Sequence, residues 1–137
     1  MNTVLITIDS LRADHVGAYG YNRNTTPRID ELAEDSHLFE NAIAHACATR
    51  PSFPSILTST QGLLYGGFVR LSEQQIPVAK PLSEAGYSTG GFHSNPYLSS
   101  QFGYDRGFAI FSDSQANPTL ISKIRRYVSN NLSGPLH

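Results

Sequence analysis

Asp9 closes a short apolar run, Thr49 stands two residues before Pro51, and His93 closes another run, Tyr87 to His93. Each has a chemical and a structural reading. A carboxylate at the end of a strand can hold a divalent cation through oxygen, or it can cap the following turn. A hydroxyl just before a helix start faces backbone N–H groups, which form a ready anion site. Thr49 there becomes a nucleophile if a metal or a base lowers its pKa, or serves as a plain N-cap. His93 can act as acid, base or metal ligand, or as a hydrogen-bonded structural residue. His45, four residues before Thr49, has the same alternatives. His15 and His37 lie in polar stretches and are expected to face water.

These residues need elements to hold them. Thr3 to Ile8 is a continuous β-branched and apolar run, which predicts a strand buried on both faces in a parallel sheet. Thr26 reads as an N-cap with Pro27 at the first helical position, and Ile29, Leu32 and Ala33 make an apolar face. Acids near that start suit the helix dipole. Leu38 to Ala44 is a second strand candidate. Thr49 to Pro54 reads as a loop turning into a helix that carries Ile56 and Leu57. Ile76 to Ala85 reads as a helix closed by Gly86. Tyr87 to His93 is a third strand, Ser94 to Gly107 a loop, Phe108 to Phe111 a short fourth strand, and Asn117-Pro118 the start of a last helix. Strands alternating with helices indicate an α/β fold, with a largely parallel sheet and helices on both faces. Ligands in such folds bind beyond the carboxyl ends of the strands.

The 137 residues suit one small domain, and 39% hydrophobic with 15% charged residues is ordinary for a globular chain. A net charge of -1 gives no basic footprint for nucleic acid or an anionic membrane. The single cysteine, Cys47, excludes an intrachain disulfide and a Cys-rich zinc site. No apolar run approaches the roughly 18 residues of a membrane span. Met1-Asn2-Thr3 leads directly into the first strand without a signal peptide, so a cytoplasmic location is expected.

Five stretches stand in a familiar order. They are Ile8-Asp9-Ser10-Leu11-Arg12-Ala13-Asp14-His15 with Gly17-Ala18-Tyr19-Gly20-Tyr21; Thr26-Pro27-Arg28-Ile29-Asp30-Glu31-Leu32-Ala33; Phe39-Glu40-Asn41-Ala42; Thr49 to Ser59; and Gly86-Tyr87-Ser88-Thr89. Together, over residues 2 to 110, they resemble the sulfatases of the alkaline phosphatase superfamily. The resemblance implies that residues 1 to 137 are the N-terminal portion of a sulfatase/alkaline-phosphatase-like fold, a truncated catalytic segment with no second domain.

The family's nucleophile is a Cys or Ser followed by Pro at the second place, Arg at the fourth and Thr at the ninth. Thr49 matches, with Pro51 second and Thr58 ninth, whereas Cys47 does not. Phe53 stands at the Arg place, so formylglycine is not expected. The resemblance implies Asp9 as a metal ligand and Thr49 as nucleophile and metal ligand, with Arg12 and His93 as candidate catalytic residues. Ser10 stands where the family has a second acid. The implied cofactor is a divalent metal: calcium or magnesium for a sulfatase-like site, zinc for a phosphodiesterase-like one.

The implied function is metal-dependent hydrolysis of a small-molecule or saccharide sulfate ester. A Thr nucleophile is also similar to the nucleotide phosphodiesterase branch, so a phosphoester hydrolase or transferase is the alternative. An inactive fragment or an anion-binding domain is the third reading. The family's other ligands, an Asp with an Asn or His, come from its second half. A missing C-terminal half is therefore an implied partner, and this chain alone is expected to give no turnover.

Overall fold

The computed structural model describes residues 2–113 and Ser129. The helix expected from Asn117-Pro118 lies outside the described residues. The chain divides into two units, Met1–Ala44 and His45–His137.

The first unit is built around one helix, α1 (Pro27–Glu34), preceded by two short 3-10 turns, Ala13–His15 and Gly17–Tyr19. Pro27 opens the helix as expected, since its missing N–H would have no intrahelical partner there. Thr26 is the N-cap residue, but its hydroxyl does not cap the helix. It accepts from the Gly17 N–H at 3.0 Å and donates to the Asp30 carboxylate at 3.0 Å. Asp30 also accepts from the Ala18 N–H at 2.8 Å, so α1 fastens the preceding turn. A Cβ on Gly17 would lie 2.3 Å from the Asp30 carboxylate, and only glycine permits this approach.

Both strands expected in this unit are absent. Residues 2–8 form no strand, and Val4, Leu5, Ile6 and Ile8 are exposed. Leu38 to Ala44 contains a turn at residues 40–41, with Phe39 and Ile43 exposed. A doubly buried strand exists only when neighbouring strands take up its N–H and C=O groups and helices cover it. Among the described residues the sheet has two strands, neither from this unit. The apolar face predicted for α1 is likewise exposed at Ile29 and Leu32.

The second unit contains α2 (Thr49–Thr58), α3 (Ala79–Glu84), β1 (Gly90–His93) and β2 (Ile110–Asp113). β1 and β2 pair in parallel, from Gly90 opposite Ile110 to His93 opposite Asp113. Helices with a parallel sheet make this an α/β chain, as the sequence predicts. β2 begins two residues later than expected. The Phe108 N–H is held by the Asp105 carbonyl at 3.1 Å, and Gly107 turns the chain at φ 85°. α3 is shorter than expected, starting at Ala79, two residues after Pro77. Its end is a Schellman motif: Tyr87 N–H donates to Leu82 O and Gly86 N–H to Ser83 O, both at 3.0 Å, with Gly86 at φ 87°.

The core of this unit is Leu71, Leu98 and Tyr104, with Phe53, Leu57, Phe102 and Phe111 against it. Leu98 and Tyr104 both come from the loop after β1, so that loop is packed rather than loose. Among the described residues no helix is long and apolar enough to cross a membrane.

Candidate functional site

Thr49 is the first residue of α2, not the last residue before it. The helix starts there because the Ser52 N–H reaches the Ala48 carbonyl at 3.2 Å and Pro51 is tolerated in a first turn, where it removes no needed donor. Pro54 is buried inside the helix and has no N–H for the Arg50 carbonyl. Phe53 and Leu57, one turn apart, anchor α2 in the core. Phe53, at the family's Arg place, is thus spent on packing. The Ser52 hydroxyl donates to the Ala46 carbonyl at 2.8 Å and ties down the segment before the helix.

Two side chains meet Thr49 or its neighbour Arg50, and a third is linked to them through Asn95. The Asn95 carboxamide donates to Thr49 Oγ1 at 3.3 Å, and its oxygen accepts from the Tyr97 N–H at 3.0 Å. The Arg50 guanidinium lies 4.0 Å from the centre of the Tyr97 ring, a cation–π contact. His93, the last residue of β1, contacts the Asn95 main-chain carbonyl through Nδ1 at 3.0 Å, and its ring lies 5.0 Å from that of Phe111. His93 Nε2 is buried and has no hydrogen-bond partner among the described residues. Thr49, Arg50, His93, Asn95 and Tyr97 therefore form one cluster at the carboxyl end of β1, where α/β folds place ligands. The N-terminal turn of α2 adds the Thr49 and Arg50 N–H groups, which lack intrahelical acceptors.

The sequence reading reached Thr49 and His93 but missed Arg50, Asn95 and Tyr97. An Arg beside a hydroxyl at a helix start was a signal available for Arg50. Asn95 and Tyr97 lie in a stretch read only as loop. Cys47 is exposed and free.

Asp9 and Arg12 belong to the first unit. Asp9 lies in an exposed turn with Ser10, which takes a left-handed φ of 58°. The Arg12 guanidinium forms a two-point pair with the exposed Asp14 carboxylate. His15 Nδ1 contacts that carboxylate at 2.9 Å. Arg12 first, then His15, hold the Asp14 carboxyl well below the usual carboxylate range. Arg12 is thus engaged with its own turn. The carboxylate of Asp9 and the hydroxyl of Thr49 are oxygen donors of the kind calcium and magnesium take. The described residues contain no group of three or more His, Cys, Asp or Glu able to hold a metal.

Several known proteins are similar to parts of this chain. Iduronate 2-sulfatase of Homo sapiens is 43% identical over 58 residues, 42% of this chain and 10% of that protein. Arylsulfatase of Clostridium perfringens is 31% identical over 105 residues, 69% of this chain and 21% of that protein. YhbX of Escherichia coli (strain K12), which carries the name of a transferase, is 41% identical over 56 residues, 41% of this chain and 10% of that protein. The chain thus matches about a tenth to a fifth of the length of these relatives. No solved structure matches it. The sulfatase family model matches residues 1–133, and the chain belongs to the sulfatase family, of which it carries the N-terminal part.

Proposed function

We propose that this chain carries the nucleophile-bearing part of a metal-dependent sulfatase-family hydrolase, with Thr49 as the attacking group and sulfate esters as substrate class. The observation that carries the reading is the position of Thr49. Its hydroxyl is held by Asn95 at the first turn of α2, beside Arg50, and Asn95 in turn contacts His93 at the strand end. Anionic oxygens of an ester suit the free N–H groups of that turn and the Arg50 guanidinium.

Thr49 Oγ1 attacks sulfur in line. The bond from Oγ1 to sulfur forms, the bond from sulfur to the alcohol oxygen breaks, and the alcohol leaves with the proton that Thr49 gives up. His93, whose buried Nε2 has no hydrogen-bond partner among the described residues, is the candidate to carry that proton. Water then hydrolyses the threonyl ester, which has no internal route to release. By the family resemblance Asp9 and Thr49 are each a candidate ligand for a divalent cation, which would stabilise charge on the ester oxygens.

A phosphoester hydrolase or transferase is the second reading. Two observations favour it: a plain Thr stands at the nucleophile place, and Phe53, which replaces the formylglycine-linked Arg, is packed into the core. The test is purified chain with calcium, magnesium or zinc and an aryl sulfate or aryl phosphate, followed by intact mass. A covalent adduct on Thr49 supports the nucleophile, and its mass tells sulfate from phosphate. Absence of an adduct with every ester and metal, in a chain joined to the remainder of a sulfatase-length protein, would remove it.

A further inference from the structure

We infer that Asn95 is the positioning residue of the Thr49 hydroxyl and that its main chain also sets the His93 tautomer, an inference that rests on the nucleophile reading above. Asn95 follows the carboxyl end of β1 and caps the 3-10 turn Pro96–Leu98. The two ends of its carboxamide are not interchangeable. The Tyr97 N–H can only donate, so Asn95 Oδ1 must face it, at 3.0 Å. That leaves the NH2 end toward Thr49 Oγ1, at 3.3 Å. Oγ1 therefore receives a hydrogen bond there, and the Thr49 proton is directed elsewhere. A hydrogen bond donated to an oxygen that becomes negative favours the charged form and strengthens as charge develops. Asn95 thus lowers the cost of turning this hydroxyl into an attacking oxygen.

The second consequence comes from the same residue. The Asn95 main-chain carbonyl can only accept, so the His93 nitrogen 3.0 Å away, Nδ1, must carry a proton. A neutral His93 then has its lone pair on Nε2, the buried nitrogen without a hydrogen-bond partner among the described residues. This tautomer can accept a proton at Nε2. The ring is kept in place by Phe111, and Phe111 by Phe108, with centroids 5.6 Å apart.

The test uses the full chain labelled with nitrogen-15. Long-range proton–nitrogen spectra should show neutral His93 protonated at Nδ1. Thr49→Val, which keeps shape but removes the acceptor, should shift the Asn95 side-chain amide protons and speed their exchange, while Thr49→Ser should restore both. His93 protonated at Nε2, or an Asn95 amide indifferent to Thr49→Val, would overturn the inference. Asn95→Asp keeps the acceptor for Tyr97 and removes the donor to Thr49. In the adduct assay it should slow labelling of Thr49 by about a hundredfold, as loss of one aimed donor does. Equal labelling rates would also count against it. If the joined, sulfatase-length chain forms no adduct with any ester and metal, the nucleophile reading fails, yet the spectra still decide whether Asn95 holds Thr49.

Discussion

Asn95 meets Thr49 at 3.3 Å although 46 residues separate them in the chain. The contact joins the carboxyl end of β1 to the first turn of α2 and makes a local feature, a hydroxyl at a helix start, part of a tertiary cluster. Neither end is free to drift. α2 is anchored by Phe53 and Leu57, and the loop after β1 by Leu98 and Tyr104.

Thr49→Ala is expected to abolish covalent labelling by an aryl sulfate or phosphate ester, while Cys47→Ala leaves it unchanged. The two residues differ in placement: Thr49 is in the cluster, and Cys47 is an exposed free thiol. Intact mass before and after exposure to ester reads the difference directly.

Arg50→Ala should weaken binding of inorganic sulfate or phosphate by several-fold, with Arg50→Lys in between. A guanidinium over an exposed ring is stabilised by about 0.5–1 kcal/mol, and a lysine keeps the charge but not the planar fork. Tyr97→Ala should reproduce part of the loss by freeing Arg50. Titration calorimetry of the four chains with each anion checks the order.

Gly107→Ala should destabilise the second unit by at least about 2 kcal/mol. The residue sits at φ 85°, and an added Cβ would fall 2.3 Å from the Lys80 backbone nitrogen. Left-handed backbone alone costs roughly 1–2 kcal/mol for a residue with a Cβ, and the clash adds overpacking. Denaturant unfolding should show a lower midpoint, whereas Gly20→Ala, with open space around its Cβ, should cost less.

Burial pushes the Tyr104 phenol from its ordinary 10 up to about 12. The folded state therefore favours the neutral phenol more than the unfolded state does. The resulting stability is fully present below pH 10 and is lost as pH rises from about 10 through about 12. Tyr104→Phe should flatten this alkaline fall in unfolding free energy. A fall unchanged by the substitution would assign it to other groups.

Local signals were legible in the residues themselves. Pro27 after Thr26 marked the start of α1, and Gly86 marked the end of α3. These signals are short-range, because φ restriction and left-handed turns act within a few residues. Thr3 to Ile8 shows the limit. Its composition says strand, but composition cannot supply the neighbouring strands that would take up its hydrogen bonds, and the run stays exposed.

The sequence by itself determined the α/β class, the sulfatase resemblance and two members of the cluster, Thr49 and His93. Only the tertiary structure decided that Asn95, Arg50 and Tyr97 join them, that Thr49 lies inside α2, and that Phe53 is a core residue. The reason is distance along the chain. A hydrogen bond across 46 residues and a cation–π contact between a helix and a loop leave no periodic mark, and exist only once β1, its loop and α2 are packed on one core.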